Sequence, residues 1–477
     1  MAGEAREKCA VAAIITPGSE SPASHRVYEE LFAMQHRGAE ASGIVSQPIH
    51  EGLQAHRGLG MVPDVYDEAA MRHLSGSIAV GHNRYSTSGS KKSHPQPFTD
   101  PAIGFAFGHN GNLPVTQYLE TYLSKHHIQP EHLNDSEMMG HAIAQYIRSG
   151  HDLPDAVELA YPLFRGAFSC VAMHDGAVVA FRDPKGIRPL ALGTLAEGGY
   201  AVASETCGLD IIDAAYEREV RPGELAIISN DGIESRQVAE GDSKLDMFEF
   251  AYFARGDSRL YGQSVNEVRR RFGEELAAQH PPHTDDVKNI VVVPVPDTSI
   301  PAAEGYAEAL GLCERQAVVK NRYIGRTFME TTNGGRNTQL RRKHNIIAEA
   351  VDGKDLMLVD DSIVRLNTIP RLVKLAYMSG ARSVGVVIAS PPVRFPDFYG
   401  IDTPKQSELA AANLTIEQMR EEIGCNYLGF LSVSRMAAAT GMPASQFNLS
   451  CFTGEYPIGI GARKRDIVKP VSMEFAE

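Results

Sequence analysis

Three things are scarce in this sequence: cysteine, long apolar runs and an excess of basic residues. Its six cysteines include no CxxC pair, which favours reduced side chains over a disulfide framework. No apolar run reaches the ~20 residues that a membrane-spanning helix requires, so we expect no such helix. The net charge of −13 argues against broad nucleic-acid binding. These shortages indicate an enzyme that we expect in the cytoplasm.

The chain is long and ordinary in composition. It has 477 residues, of which 43% are hydrophobic and 22% are charged, as is usual for a globular protein of two or three domains. The segment Met1–Lys8 is charged and has no apolar core, so we expect no secretory signal.

The two halves of the chain differ in their pattern of short apolar runs. Strands predominate from Cys9 to about residue 240, whereas strands and helices alternate beyond residue 260, which predicts a parallel, doubly wound sheet in the second half. The polar segment Ser229–Lys244 predicts a boundary. We therefore expect domains at 9–240 and 260–430 and a C-terminal extension at 431–477. Five strands and five helices are clearest: Val11–Ile15, Phe168–Met173, Asn289–Val293, Leu356–Val359, Ser383–Ile388, and Val27–Met34, Glu137–Ile147, Val265–His280, Pro301–Leu310, Ile369–Met378.

An acidic pair marks the most informative stretch of the second half. The apolar strand Leu356–Val359 ends in Asp360 and Asp361, and a short loop then leads into the helix Ile369–Met378. This order predicts a site at the carboxyl edge of an open α/β sheet. The acids can hold ribose hydroxyls and a hydrated Mg²⁺, and the amides at the helix start can hold a phosphate.

This stretch resembles the phosphoribosyl pyrophosphate (PRPP) loop of the type I phosphoribosyltransferases. The resemblance implies that Ser362, Arg365 and Thr368 also contact PRPP. The family has Gly and Thr where this chain has Leu366 and Asn367. If that glycine is needed for a positive φ, leucine costs about 1–2 kcal/mol, and we expect its side chain to narrow the 5′-phosphate pocket. Either the loop has adapted, or the acceptor is not PRPP.

Two further segments of the second half carry ligand-binding groups. Thr298 follows a predicted strand and, with Asp360 and Asp361, is a candidate ligand of Mg²⁺. A polar, glycine-containing stretch near residue 340 carries basic side chains. It is either a solvated loop or a flap that closes over a polyphosphate. From this region we predict three PRPP-binding residues: Arg326, Arg341 and Lys343.

The first half combines Cys9 with four motifs in a fixed order. If Met1–Lys8 are removed, Cys9 carries its nucleophilic thiol and a free α-amine as base in one residue; alone, it is more typical of a buried cysteine. The order of the motifs resembles the class II, N-terminal-nucleophile glutamine amidotransferases, a family with an αββα sandwich. The motifs are Gln35–Gly38, Gly81–Thr87, His109–Asn112 and Asp135–Glu137.

That resemblance assigns roles to five residues. Cys9 attacks the glutamine side-chain amide, while the Asn110 side chain and the Gly111 N–H stabilise the oxyanion. Arg84 binds the glutamine α-carboxylate and Asp135 its α-ammonium group. The family usually has glycine after the nucleophile, whereas this chain has Ala10.

From Cys9 to about Pro457 the chain resembles the glutamine PRPP amidotransferases, which join both domain types. The resemblance implies glutamine and PRPP as substrates, Mg²⁺, ammonia transfer through a closed passage, and the first step of purine synthesis. It also implies purine nucleotide inhibitors and a homo-oligomer, either a dimer or a tetramer. Two alternatives stay open: an amidotransferase for another phosphosugar, and an impaired regulatory homologue.

Some members of this family hold a [4Fe–4S] cluster on four cysteines. The corresponding residues here are Asp246, Asp397, Asn448 and Cys451. A cluster needs about four thiolates. We therefore predict that this chain carries no iron–sulfur cluster.

Overall fold

The computed structural model describes residues 9–18, 22–48, 52–84, 96–282, 286–321, 344–401, 403 and 405–471. The strands of the first half are β1 (Cys9–Ile15), β2 (Ala41–Gln47), β3 (Gln54–Leu59), β4 (Ile78–Arg84), β5 (Phe98–Asp100), β6 (Phe105–Val115), β7 (Arg165–His174), β8 (Ala177–Arg182), β9 (Ala191–Thr194), β10 (Tyr200–Ala203), β11 (Ala215–Glu219), β12 (Glu224–Ser229) and β13 (Gly232–Gln237). The helices are α1 (Ala23–Ala33), α2 (Val62–Val65), α3 (Glu68–His73), α4 (Gln117–Lys125), α5 (Asp135–Arg148), α6 (Leu153–Ala160) and α7 (Thr206–Ile211).

These strands form two antiparallel sheets that pack face to face. One has the order β11-β9-β10-β1-β4-β2-β3 and the other β13-β12-β8-β7-β6-β5. Strand β1 is buried on both faces: Ala10, Ala12 and Ile14 pack beneath α1, while Val11 and the next alternate residues lie between the sheets. Helices α5 and α6 cover the outer face of the second sheet. The predicted αββα sandwich is confirmed.

The second half adds eleven strands and eight α-helices within the described residues. The strands are β14 (Leu245–Asp246), β15 (Arg259–Leu260), β16 (Gln263–Ser264), β17 (Ile290–Pro294), β18 (Cys313–Glu314), β19 (Val318–Lys320), β20 (His344–Ile346), β21 (Asp355–Asp360), β22 (Ser383–Ile388), β23 (Tyr427–Phe430) and β24 (Phe447–Asn448). The helices are α8 (Val265–Gln279), α9 (Ile300–Leu310), α10 (Ala348–Val351), α11 (Ile369–Met378), α12 (Ala410–Asn413), α13 (Ile416–Ile423), α14 (Val433–Thr440) and α15 (Ser450–Thr453).

Five of these strands form a parallel sheet with the order β18-β17-β21-β22-β23. Its valine-rich strands are buried on both faces, as parallel strands usually are. Helices α8 and α9 pack on one face and α11 and α13 on the other. The predicted doubly wound sheet is confirmed. The carboxyl ends of β17 and β21 lie side by side, because Pro294 pairs with Val359.

The segment predicted as a boundary contains a strand. Residues Ser229–Lys244 contain β13, which pairs with β12 at the edge of the second sandwich sheet. An exposed edge strand is polar on its solvent side, which is why its sequence resembles a linker. The chain then forms a five-residue π-helix, Glu249–Phe253, that the sequence did not predict.

Short 3₁₀ helices connect some of these elements, at Pro130–His132, Tyr161–Leu163, Val287–Asn289, Gln406–Glu408, Ala444–Gln446 and Gly461–Asp466. Across the described residues, no helix has the length and apolar character that a membrane crossing requires.

Candidate active sites

Cys9 is the first residue of β1 and is almost fully buried. In the ladder between β1 and β4 it lies opposite Arg84, the last residue of β4. The structure therefore places the candidate nucleophile and the candidate carboxylate-binding arginine on neighbouring strands at the same end of one sheet.

Asn110 belongs to β6 in the facing sheet. The two sheets approach closely here, since a Cβ on Gly108 would lie 3.4 Å from a methyl group of Val11. Residues two apart on a strand lie on the same face of the sheet. Asn110 therefore shares the inner face of its sheet with Gly108, and Cys9 shares the inner face of the other sheet with Val11. The Asn110 side chain is therefore directed toward the end of the sandwich where Cys9 lies.

A hydrogen bond between the sheets fixes this register. The Nε2 atom of His82 on β4 lies 3.1 Å from the carbonyl oxygen of His109 on β6. Burial lowers the pKa of His82 to about 3, so the ring is neutral and can serve as a fixed structural link. Of the two bonded residues, His109 directly precedes Asn110, and His82 lies two positions before Arg84.

The amide of Asn110 is buried, and neither its nitrogen nor its oxygen has a hydrogen-bond partner within the described residues. An unmade hydrogen bond of this kind is costly in a folded protein. Asn110 can therefore donate to an oxygen that arrives with a substrate. Its neighbour Gly111 has φ +147°, and a Cβ there would lie 2.1 Å from the carbonyl oxygen of Ala167. Only glycine fits this position without rearrangement.

Asp135 is the first residue of α5, which begins with a capping box between Asn134 and Glu137. Its two carboxylate oxygens accept hydrogen bonds from the N–H groups of Leu113, at 3.1 Å, and Ser136, at 2.9 Å. The bond to Leu113 fastens the start of α5 to β6, close to Gly111. Because the Asp135 side chain is 22% exposed, its carboxylate can also bind an ammonium group.

At the other candidate site, Asp360 is the last residue of β21 and Asp361 follows it, and both are buried. The hydroxyl of Thr298, which follows β17, donates a hydrogen bond to one oxygen of Asp361. Ser362 donates to the other oxygen at 2.7 Å. Residues that follow β17 and β21 thus meet at the carboxyl edge of the sheet, as the sequence predicts.

A pocket opens at this edge, beside the start of α11. It is lined by Tyr252, Val295, Pro296, Asp297, Thr298, Lys320, His344, Asp360, Asp361, Ser362, Ile363, Val364, Arg365, Thr368 and Ile369. Five of the predicted PRPP-binding residues line it: Asp360, Asp361, Ser362, Arg365 and Thr368. The sequence did not predict Tyr252, which comes from the π-helix and lies more than a hundred residues before the acidic pair.

The oxygen atoms of Thr298, Asp360 and Asp361 suit Mg²⁺, which prefers carboxylate oxygens and keeps several waters or substrate oxygens. Among the described residues, no three His, Cys, Asp or Glu side chains are grouped closely enough to hold a metal ion. Two carboxylates and a hydroxyl supply fewer ligands than Mg²⁺ takes, so this donor set fits a cation that a phosphorylated substrate completes.

Leu366 does not behave as the sequence predicted. The described non-glycine residues with positive φ are His127, Asp175, Asp213 and Tyr261, so Leu366 has no left-handed backbone. Its side chain packs on the core beneath α11 and is absent from the described pocket lining. The expected strain and the expected narrowing of the phosphate pocket are both wrong, because the loop turns this side chain toward the core.

Five of the predicted features lie outside the described residues: Met1–Lys8, residues 85–87 of the motif Gly81–Thr87, Arg326, Arg341 and Lys343.

Comparison with known proteins identifies the family. A model of the glutamine amidotransferase domain matches residues 82–210. The chain is 42% identical to the amidophosphoribosyltransferase of Synechococcus elongatus over an alignment of 464 residues, and the match covers 95% of this chain and 92% of the relative. The chain belongs to the amidophosphoribosyltransferase family. It is a glutamine-dependent pentosyltransferase, and it carries out the first step of purine biosynthesis.

Other relatives agree with this assignment. The amidophosphoribosyltransferase of Mycobacterium leprae is 40% identical and matches 95% of this chain and 82% of the relative. The glutamine PRPP amidotransferase from B. subtilis, solved in complex with ADP and GMP, superposes with a TM-score of 0.87. It is 36% identical and covers 95% of this chain and 98% of its own. The predicted family and activity are confirmed, and no comparison favours the two alternatives.

The four residues predicted at the iron–sulfur positions come together in one buried cluster. Asp246 pairs with Asn448 between β14 and β24, and Asn448 Nδ2 lies 3.4 Å from an Asp246 oxygen. Burial, with the nearby charge of Asp397, raises the pKa of Asp246 to about 7. Burial and the same two carboxylates raise the pKa of the Cys451 thiol. The cluster holds a single thiol, and the absence of an iron–sulfur cluster stays a prediction.

Proposed function

We propose that Cys9, exposed as the first residue by removal of Met1–Lys8, is the nucleophile of the glutaminase reaction. Its α-amine takes the thiol proton, and the sulfur attacks the side-chain amide carbon of glutamine. Asn110 and the Gly111 N–H hold the oxyanion, ammonia leaves, and water then hydrolyses the thioester to glutamate. Arg84 binds the α-carboxylate of glutamine and Asp135 its α-ammonium group.

In the transferase reaction, ammonia attacks C1 of PRPP and pyrophosphate leaves. Asp360 and Asp361 hold the ribose hydroxyls, and Ser362, Arg365 and Thr368 hold the 5′-phosphate beside the start of α11. Arg326, Arg341 and Lys343 bind the pyrophosphate. When bound to the oxygens of Thr298, Asp360 and Asp361, Mg²⁺ would offset the charge of the departing pyrophosphate. Ammonia reaches this site through a closed passage, since in bulk water it would be protonated or lost.

The observation that carries this proposal is the unpartnered Asn110 amide in the part of the sandwich where Cys9 lies. The experiment incubates the purified, mature protein with glutamine, with and without PRPP and Mg²⁺, and follows glutamate and pyrophosphate together. We expect both products in equal amounts when PRPP is present. A protein that forms glutamate and never releases pyrophosphate from PRPP would overturn the transferase assignment.

The same proposal covers partners and organisation. Because the B. subtilis relative binds ADP and GMP, we include purine nucleotides as inhibitors of this enzyme. We also propose a homo-oligomer, either a dimer or a tetramer, in the cytoplasm. The two antiparallel sheets support a glutaminase domain at 9–240, and the parallel sheet supports a transferase domain at 260–430 with an extension at 431–477.

A further inference from the structure

Glu408 is an acidic residue that lies behind one wall of the PRPP pocket. It is the last residue of the 3₁₀ helix Gln406–Glu408, and its side chain is 39% exposed. One of its carboxylate oxygens accepts a hydrogen bond from Nη2 of Arg365 at 2.6 Å. Arg365 lines the pocket, whereas Glu408 is not part of the described lining. Glu408 thus contacts the arginine and not the space that a ligand fills.

The guanidinium of Arg365 is only partly satisfied by this ion pair. Its side chain is 14% exposed, and its buried Nε has no hydrogen-bond partner within the described residues. A buried donor without an acceptor is costly. A guanidinium presents its five N–H groups in one rigid plane, so an acceptor at one nitrogen fixes the direction of the others. Glu408 therefore sets the plane in which Arg365 can meet a phosphate.

The 3₁₀ helix that carries Glu408 is itself held in place. The buried side-chain amide of Gln406 accepts a hydrogen bond from the N–H of Val468 and donates to the carbonyl oxygen of the same residue, both at 2.7 Å. Two residues after Glu408, the N–H of Ala410 donates to the carbonyl oxygen of Val364 at 3.0 Å. The backbone around Glu408 is therefore attached on one side to the proposed C-terminal extension and on the other to the PRPP loop.

The ion pair can act on a phosphate in two opposite ways. A carboxylate that took up the donors of Arg365 would compete with the phosphate, and its removal would tighten binding. A carboxylate that used one nitrogen and left others to the ligand would orient the arginine, and its removal would weaken binding. The described contact uses Nη2 and leaves Nε without an acceptor. The geometry favours orientation.

We propose that Glu408 is a positioning residue for PRPP: it fixes the guanidinium of Arg365 beside the start of α11, where that guanidinium binds the 5′-phosphate. The 5′-phosphate and the pyrophosphate lie at opposite ends of PRPP, so Glu408 affects the affinity for one end only. It thereby contributes to the selection of sugars that carry a 5′-phosphate. The inference deepens the proposed function and rests on the role given there to Arg365.

Glu408→Gln tests this inference, because glutamine keeps the shape of the side chain and removes its charge. Two fragments of PRPP are titrated calorimetrically with Mg²⁺ present: ribose 5-phosphate, which carries the 5′-phosphate, and inorganic pyrophosphate, which does not. We expect the Kd for ribose 5-phosphate and the KM for PRPP to rise about tenfold, as when one charge-assisted hydrogen bond is weakened. The Kd for pyrophosphate and the kcat with ammonium should not change.

Glu417→Gln is the matched control. Glu417 is also an exposed carboxylate that holds an arginine, Arg420, at 2.5 and 2.9 Å. This pair belongs to α13, and neither residue is part of the described pocket lining. We expect parental values of all four constants for this variant.

A double-mutant cycle with Arg365→Lys shows whether Glu408 acts through the arginine. Lysine keeps the positive charge and loses the planar set of donors. Because residues that act through one contact are not additive, the double variant should bind ribose 5-phosphate no more weakly than Arg365→Lys alone.

Three results would overturn the inference: an unchanged or lower Kd for ribose 5-phosphate in Glu408→Gln, an equal rise in the Kd values of both fragments, or additive effects in the cycle. The proposed function is tested separately by Arg365→Lys alone. If that variant binds ribose 5-phosphate as the parental protein does, the proposed role of Arg365 fails and the inference fails with it. A weakened Arg365→Lys beside an unaffected Glu408→Gln contradicts only the inference.

Discussion

The glutaminase site and the PRPP site differ in what holds their side chains. At the glutaminase site, close contact between two sheets sets the geometry: Gly108 packs against Val11, and Gly111 leaves no space for a Cβ. At the PRPP site, Asp361 is held by hydroxyls of neighbouring loops at an open sheet edge. A site set by packing tolerates little change in volume, whereas a site set by loops depends on charge and on the ligand that completes it.

The largest effect is expected at Cys9, the proposed nucleophile of the glutaminase site. Cys9→Ala should abolish glutamine-dependent formation of 5-phosphoribosylamine, because the thiol is the only attacking group we assign. Activity with ammonium should remain. Intact-mass measurement of the active parental protein should show a chain that begins at Cys9. Active protein that begins only at Met1 or Ala2 would contradict the role of the free amine.

At Asp361 we expect the opposite pattern of lost and retained activities. Asp361→Asn should remove transfer with both glutamine and ammonium, since the carboxylate proposed to bind ribose and Mg²⁺ is lost, while glutaminase activity without PRPP persists. Asp355→Asn is the control, because Asp355 is the first residue of β21, at the end of the strand away from Asp361, and is paired with Arg382. Equal losses in the two variants would show that β21, and not the site, had been damaged.

Packing at the oxyanion site can be tested with two glycines of equal φ. Gly111→Ala should lower the glutamine-dependent kcat by about 10²-fold, as loss of an oxyanion donor does, because its Cβ meets the Ala167 carbonyl at 2.1 Å. Gly232 also has φ +147°, but the nearest atom to its Cβ is the Tyr200 hydroxyl at 3.9 Å. Gly232→Ala should keep the parental kcat, and a matching fall there would contradict the steric explanation.

The buried cluster at Asp246 should make stability depend on pH. The pKa of the Asp246 carboxyl rises from 3.8 to about 7 on folding, so the folded state binds the proton more tightly than the unfolded state. Between these two values, the free energy of unfolding therefore falls as pH rises, by at most about 1.4 kcal/mol per pH unit. In Asp246→Asn this group cannot ionise. In thermal melts, the Tm of the variant minus the parental Tm should therefore increase as the pH rises from 3.8 to about 7. A constant difference would refute the shift.

The smallest effect is expected at Leu366. Leu366→Gly should leave the affinity for PRPP unchanged, because the side chain packs on the core and not in the pocket. Loss of that packing and the added freedom of glycine should lower the free energy of unfolding by about 1–2 kcal/mol. Titration with PRPP and denaturant unfolding measure the two quantities. Tighter binding of PRPP by the variant would restore the steric explanation.

Local patterns predicted much of the fold and the position of most candidate site residues. The apolar run of β21 and the acids that end it are adjacent in sequence, and so are the residues of each glutaminase motif. The buried ion pairs of Arg37 have no such signal, because Arg37 is 168 residues from Glu205 and 212 residues from Glu249. The π-helix was missed for a related reason, since the ion pair of Glu249 and the hydrogen bonds from Arg269 to Phe250 and Ala254 come from other parts of the chain.

The most direct test of two separate sites uses ammonium as the only nitrogen donor and measures pyrophosphate release by Cys9→Ala and Asp361→Asn in the same assay. We predict a parental rate for Cys9→Ala and no PRPP-dependent release by Asp361→Asn. Loss of release in Cys9→Ala, or its persistence in Asp361→Asn, would contradict the division of the chemistry between the two halves.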